Sequence, residues 1–195
     1  ENDVEAVTEM VKEREDDLDD LISNSNYNDM APQWAFEAAT HGTPAIWVQQ
    51  GHINQPIYFE AVPPSELLVT PGYLGIMDRF RECTVPAQSL SSLFAGYNVS
   101  LTDQQLAAKM KKPGQTVKVI WGFWVDWSDA GNPQWRCEIT ADGKRITPAE
   151  PIKLGPLAGT CPLMVGRFNP QPGRPWGRGP GRAALNELRV WNNVS

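Results

Sequence analysis

Residues 117–127, VKVIWGFWVDW, restrict the possible folds of this chain more than any other segment. Apolar and other residues alternate strictly along it, and alternation with a period of two is the pattern of a β-strand with one buried face. The predicted buried face consists of Val117, Val119, Trp121, Phe123, Val125 and Trp127. A strand with so wide an apolar face requires a second layer to cover it, so the body of the protein should be a sheet structure with a core.

Further strand-like runs flank this segment, and Pro, Gly and Asn separate them. Between residues 135–140 and 144–147, Asp142 and Gly143 supply the positive φ angles of a tight turn, which predicts a β-hairpin. Pro in the remaining connections is typical of sandwich or barrel edges. The other predicted strands are 45–50, 56–62, 66–70, 162–168 and 185–191.

Two segments have helical spacing instead. Val4, Val7, Val11, Leu18 and Leu21 recur at intervals of three and four, and Asn2 with Glu5 fits a capping box. A helix of about three heptads is marginal alone in water, so we expect it to pack on its own body or on a neighbouring chain. Residues 23–33 look like a linker, and residues 102–112 predict a short internal helix with Thr102 as its cap.

Charge separates the amino-terminal arm from the body. Residues 1–30 contain eleven Asp and Glu against Lys12 and Arg14, a net charge of -9; subtraction from the whole-chain -6 leaves +3 for residues 31–195. We therefore divide the chain into an acidic helical arm with its linker, 1–30, and a β-sandwich domain, 31–195. A body of about +3 is not the strongly basic surface of a nucleic-acid-binding protein.

Residues 169–184 contain Arg174, Arg178 and Arg182 among Gly and Pro. Since two predicted strands flank them, they form a loop held at both ends rather than a basic tail. A loop of about 15 residues is long for a simple connector, which favours a functional loop or one that contacts another protein or a neighbouring subunit. A loop with no special role is the alternative, and binding of nucleic acid is the less favoured interpretation.

Three short motifs in order resemble the carboxy-terminal half of concanavalin A-like jelly rolls, in particular the laminin-G-like domains. They are Asp142-Gly143-Lys144, then LMVGR at residues 163–167, then NELRVWN at residues 186–192. The resemblance implies an antiparallel jelly roll and covers 117–192. Asn186 stands where that family often has an acidic residue, and the preceding loop is unusually long, so the family's ligand and calcium sites are not carried over.

The chain has no convincing catalytic or metal-binding motif. Asp126 and Asp129 are three apart, which places them on opposite faces of a strand, whereas glycosidase carboxylates must face one cleft. Both aspartates could instead hold calcium with Asn132, although a solvated turn is the simpler interpretation. Cys83, Cys137 and Cys161 lack metal-ligand spacing and predict buried or half-buried thiols, with one disulfide as the alternative. We predict no catalytic residue, metal or cofactor.

Eight tryptophans are the positive signal for binding, because their rings stack on sugars or anchor protein interfaces. Trp124 lies on the face of its strand opposite the predicted core, Trp135 begins the next strand, and Trp176 lies in the arginine loop. Together with Arg174 and Arg178 these are the candidate ligand-binding residues. Burial of Trp124 and Trp135 under a second layer is the alternative.

The sequence therefore predicts an all-β antiparallel sandwich with one internal helix and an amphipathic amino-terminal helix. The favoured function is a non-enzymatic lectin-like or partner-binding module, binding a glycan or a protein on the outside of a cell or a virion. The rival is a structural subunit of a capsid, fibre or other assembly, in which the arm and the loop at 169–184 contact other subunits. Both versions predict self-association through the amino-terminal helix, without insertion into a membrane.

Overall fold

The computed structural model of the protein describes residues 2–52, 55–71, 77–94, 99–129, 131–148, 150–156, 161–182 and 184. Two helices come first, α1 (Asn2–Ser23) and α2 (Tyr27–Thr40). Two short helices follow among the strands, α3 (Leu90–Leu93) and α4 (Gln104–Met110). The strands are β1 (Ala45–His52), β2 (Gln55–Val62), β3 (Leu67–Pro71), β4 (Met77–Pro86), β5 (Thr116–Asp126), β6 (Gln134–Ala141), β7 (Lys144–Arg145), β8 (Ile152–Pro156) and β9 (Leu163–Val165).

The strands form two antiparallel sheets. The smaller has the order β2-β1-β9, and the larger has the order β3-β4-β5-β6-β7, with β8 also paired to β6. Neighbours in the larger sheet follow one another along the chain, as in a meander. The mostly antiparallel β architecture predicted from the alternating segments is confirmed, whereas the exchange of strands between sheets that defines a jelly roll is not confirmed.

The two sheets share one core. Trp47 of β1 packs edge-on against Trp121 and Phe123 of β5, with ring centroids 4.9 and 5.4 Å apart. Alternation along β5 places Val117, Val119, Trp121, Phe123 and Val125 in the core, as predicted, while Trp127 is half-buried. The arrangement is therefore sandwich-like, and burial of these large rings stabilises it.

The predicted hairpin is confirmed in register and in turn geometry. Asp142 and Gly143 have φ of +49° and +75°, and Ala141 pairs with Lys144 across the turn. The helix predicted at residues 102–112 is also present, but its cap differs. Asp103, not Thr102, accepts hydrogen bonds from the backbone N–H groups of Gln105 and Leu106, both at 3.0 Å. The carboxylate satisfies two otherwise unpaired donors of the first turn.

The segment interpreted as a linker is mostly helical, so that prediction is wrong. Residues 24–26 form a turn and α2 begins at Tyr27. Asn26 holds this turn on β2: its side-chain Nδ2 donates to the Phe59 carbonyl at 2.7 Å, and its Oδ1 accepts from the Phe59 N–H at 2.8 Å. The sequence of α2 has only a weak helical pattern and contains Pro32. Its contact with β2 therefore stabilises a helix that the local sequence does not predict.

Strand β4, which was not predicted, directs Arg79 and Arg81 inward next to Cys83 and Val85, which pack against the core. Strand β8 was also missed. The predicted final strand at residues 185–191 lies outside the described residues and stays a prediction, as does the boundary between arm and body at residue 30. Cys83 is half-buried and Cys137 and Cys161 are buried, all as free thiols, and burial raises the pKa of Cys137 to about 12.

Candidate functional site

The arginine loop is held against the carboxyl end of α2 by backbone hydrogen bonds. After β9 the Phe168 N–H donates to the Gly42 carbonyl at 2.8 Å, and the Arg178 N–H donates to the Phe168 carbonyl at 2.7 Å. The Gly177 N–H donates to the buried Thr43 hydroxyl at 2.7 Å. The loop is therefore a structured part of the body.

Glycine at three positions allows this close approach. A Cβ on Gly177 would lie 1.9 Å from the Gly42 carbonyl oxygen, and one on Gly179 would lie 2.6 Å from the Ala39 carbonyl oxygen. Gly42 itself has a φ of +77° and would place a Cβ 2.2 Å from the Gly179 nitrogen. Gly177 and Gly179 of the loop thus serve backbone packing, which explains part of a composition that resembles a flexible tail.

A hollow of about 580 Å³ opens in this loop, and we call it the arginine hollow. Gln171 and Pro175 contribute to its wall, and the Trp176 side chain is 37% exposed. The three arginines of the loop, all exposed, supply the charge. Within the part of the chain that the structure describes, no carboxylate lies within ion-pairing distance of them. The arginines lining the hollow are Arg174, Arg178 and Arg182.

The predicted binding residues separate into three environments. Trp176, Arg174 and Arg178 come together in the arginine hollow. Trp124 is half-buried on the other face of the larger sheet, at the register position opposite Arg136. Trp135 is only 3% exposed, and the Arg79 guanidinium lies over its ring, 4.8 Å from the centroid. Its ring belongs to the core, so the structure assigns Trp135 to packing and corrects its selection as a ligand contact.

Helix α1 is the second exposed feature. Every residue from 7 to 21 is exposed, including the apolar side chains that define its stripe. Val7, Val11 and Leu18 are 55%, 50% and 53% exposed. Its main contacts with the body are to α2 and β2. An amphipathic helix that leaves its apolar stripe in water is the pattern of a helix whose partner lies outside its own fold.

A charge cluster around the buried Arg81, which sequence reasoning missed, joins the two sheets. Arg81 of β4 is 9% exposed and donates from Nη1 to Glu60 at 2.8 Å and from Nε to Glu66 at 3.1 Å. Desolvation lowers the pKa of Arg81, but hydrogen bonds and charge from both glutamates outweigh it and raise that pKa above its ordinary value. Its guanidinium also lies 5.2 Å from the Trp47 ring centroid.

This cluster explains why the sequence pattern did not predict β4. Arg81 occupies an inward position, where the alternation of a half-buried strand normally has an apolar residue. Both carboxylates contact the buried guanidinium of Arg81. The cluster is therefore a structural link between β2 and β4.

The possible calcium ligands are engaged elsewhere. Asp126 accepts hydrogen bonds from the Ser128 backbone N–H at 2.9 Å and from Arg136 at 2.7 Å, which together lower its pKa to about 2. Asp129 accepts from the Gly131 N–H at 3.1 Å in a surface turn. In the described ranges no three His, Cys, Asp or Glu residues group as metal ligands would. The calcium interpretation thus has no geometric support.

Among the described helices, none combines the length and the apolar composition that crossing a lipid bilayer requires.

A sandwich-like body with an exposed amphipathic helix and a basic hollow has the surfaces of a protein that assembles with other macromolecules. A comparison with protein families agrees with this class. The model of the family described as bacteriophage head to tail connecting protein matches residues 1–195, and the chain belongs to that family. No curated protein matches the chain.

The family makes this chain a structural component of a phage virion, as the rival interpretation of the sequence held. The lectin-like interpretation has no support from this comparison, which likewise contains nothing about concanavalin A-like or laminin-G-like domains. A glycan partner is equally unsupported, whereas assembly with other phage proteins follows from the family.

Proposed function

We propose that the chain is a subunit of the connector between phage head and tail, and that α1 and the loop at residues 169–184 form its contacts with neighbouring subunits. The observation that carries the proposal is the exposure of the apolar stripe on α1. Half-exposed Val7, Val11 and Leu18 on one helix face leave apolar surface in water that association would bury.

The length of α1 supports the same conclusion. Most of the stability of a helix in a protein comes from packing of its apolar face, which the 22-residue α1 leaves exposed from residue 7 to residue 21, and like charges at spacings of four weaken it further. Burial of the stripe against another subunit would supply the missing stability. We therefore expect the helix to be most stable in the assembled protein.

The loop is suited to a fixed contact because the body already holds it in place. Contacts through Gly42 and Gly177 order the backbone before any partner arrives. A pre-ordered surface loses less entropy on binding than a disordered one. Trp176 and the arginines are also residue types enriched at protein interfaces.

Deletion of residues 1–23 tests the proposal. All eight tryptophans lie after residue 23, so their near-ultraviolet circular dichroism reports folding of the body with and without the arm. We expect that signal to persist while sedimentation velocity shows loss of self-association. Retention of the full assembly without the arm would contradict the proposal.

A matched control separates the apolar stripe from the rest of the arm. Changing Val7, Val11 and Leu18 to Ser retains every charge of α1 and removes most of the apolar stripe. Weaker association of this variant would assign the contact to burial of the stripe. A triple Ala exchange at the exposed Gln88, Ser91 and Ser92 on the body is the comparison that should leave association unchanged.

A further inference from the structure

Four carboxylates form a second stripe on α1, opposite the apolar one. Glu9, Glu13, Asp16 and Asp20 follow spacings of four, three and four, which places them on one helix face. All four are exposed. Within the described residues none of them forms an ion pair. We call these four residues the acidic stripe.

The arginine hollow has the opposite charge and is equally uncompensated. Between Glu150 and Glu187 the sequence contains no Asp or Glu, while it contains Lys153, Arg167 and the three arginines of the hollow. The side chains of Arg174, Arg178 and Arg182 make no hydrogen bond to another described residue. The region therefore has positive charge that no described carboxylate of the same chain neutralises.

The two surfaces lie at opposite ends of α2. The acidic stripe precedes the turn at residues 24–26, where α2 begins, whereas the hollow packs on its other end, next to Ala39 and Gly42. Helix α2 has 14 residues and is therefore about 21 Å long. Among the described residues no ion pair joins the acidic stripe to the hollow, so the opposite charges of one chain are not paired with each other.

We propose that the acidic stripe of one copy docks in the arginine hollow of a second copy. This inference rests on the proposed function and names the partner of the hollow. A guanidinium group can bind a carboxylate through two parallel hydrogen bonds. A row of four carboxylates spans about 16 Å along a helix, which is long enough to contact several arginines. Trp176 adds an apolar surface on which the methylene groups of the docked Glu and Asp side chains can pack.

The pairing is head-to-tail. The stripe and the hollow are different surfaces of the same chain. Each copy that binds an arm in its hollow can therefore bind a further copy through its own arm. Contact through the acidic stripe also leaves the apolar stripe, on the other side of α1, facing away from the hollow. The apolar stripe can then pack on another surface of the assembly.

Charge reversal in the full chain tests the pairing. The first variant changes Arg174, Arg178 and Arg182 to Glu, and the second changes the four residues of the acidic stripe to Lys. Each alone should raise the Kd of self-association at least about tenfold at about 50 mM NaCl, and less at about 500 mM. An equimolar mixture of the two should associate again, because each surface then meets its opposite charge.

A net-charge control is available on the same body. Changing the exposed Lys111, Lys112 and Lys153 to Glu alters the charge as much as the first variant does, and should shift the Kd less than about twofold. A milder Arg-to-Gln version of the first variant, with its tryptophan circular dichroism unchanged, excludes misfolding as the cause.

Several outcomes would overturn the inference. Unchanged association of the first variant, together with loss of association on deletion of residues 1–23, would leave the proposed function intact and remove this pairing. Failure of the mixture to associate again would also remove it. Binding of a fluorescent duplex DNA that disappears in the first variant, with association unchanged, would identify the hollow as a phosphate site. If deletion of the arm has no effect either, both proposals are wrong.

Discussion

Asn26 and Phe59 exchange two hydrogen bonds, so that an asparagine side chain pairs with the backbone of β2 as a neighbouring strand would. The Tyr27 ring adds an edge-on contact to the Phe59 ring at a centroid distance of 5.3 Å. These contacts position α2, and α2 in turn carries α1 at one end and supports the arginine hollow at the other. The placement of both candidate contact surfaces thus depends on this turn.

Asn26→Ala should therefore lower the free energy of unfolding by about 1–2 kcal/mol, because it leaves a backbone N–H and C=O of β2 without their partner. Urea denaturation monitored by tryptophan fluorescence measures the loss. Asn24→Ala is the matched control, since Asn24 is exposed in the same turn, and it should change the stability by less than about 0.5 kcal/mol. Equal effects of the two substitutions would show that the pairing with Phe59 contributes nothing.

Gly177→Ala should displace the arginine loop from the end of α2. The added methyl would meet the Gly42 carbonyl oxygen at 1.9 Å, and backbone on both sides leaves it no space. We expect a loss of about 1–3 kcal/mol and faster proteolytic cleavage within residues 169–182. Gly131→Ala, where a Cβ would have an ordinary contact at 3.5 Å, should leave both measurements unchanged.

Arg81→Met should destabilise the chain by about 1–3 kcal/mol, since it leaves Glu60 and Glu66 close together without their cation. Adding Glu60→Gln and Glu66→Gln to Arg81→Met should recover part of the loss by removing that repulsion. Lys118→Met is the control: Lys118 pairs with Glu82 on the surface, and its loss should change the stability little. A triple variant no more stable than Arg81→Met would refute the electrostatic explanation.

Asp126 predicts a pH dependence with a definite sign. Its pKa is lowered from 3.8 to about 2 in the folded chain, so its contribution to stability is present above about pH 4 and is lost as the pH falls toward 2. The difference in melting temperature between the parent chain and Asp126→Asn should therefore decrease over that interval. Asp129→Asn is the control at an exposed aspartate. A difference that stayed constant from pH 6 to about 2 would contradict this assignment.

Local pattern was sufficient for the parts of the fold in which one face of an element is buried. The alternation along residues 117–127 predicted β5 and its core residues, and Asp142-Gly143 predicted the hairpin turn. The same reasoning failed for β4, because Arg81 satisfies its charge with Glu60 and Glu66 from other segments. Pairing between distant residues leaves no periodic signal in the strand itself.

The candidate site was predicted in part for a similar reason. Trp176, Arg174 and Arg178 were selected from composition, and the structure places them together. Arg182 also lines the hollow, although the sequence pattern predicts no binding role for it, and Trp135, a predicted binding residue, belongs to the core. Whether a tryptophan near a strand end is buried depends on what covers it, here Arg79 from β4.

The antiparallel β architecture, the amphipathic arm and the separation of negative from positive charge follow from the amino-acid sequence, since each is a property of residues close together along the chain. The tertiary structure alone decided that residues 27–40 form a helix and that the glycine-rich loop packs on its end. It also left the two charged surfaces without an ion pair between them among the described residues. These features depend on contacts between distant segments, such as Asn26 with Phe59 and Gly42 with Gly177, whose energy exists only once both segments are in place.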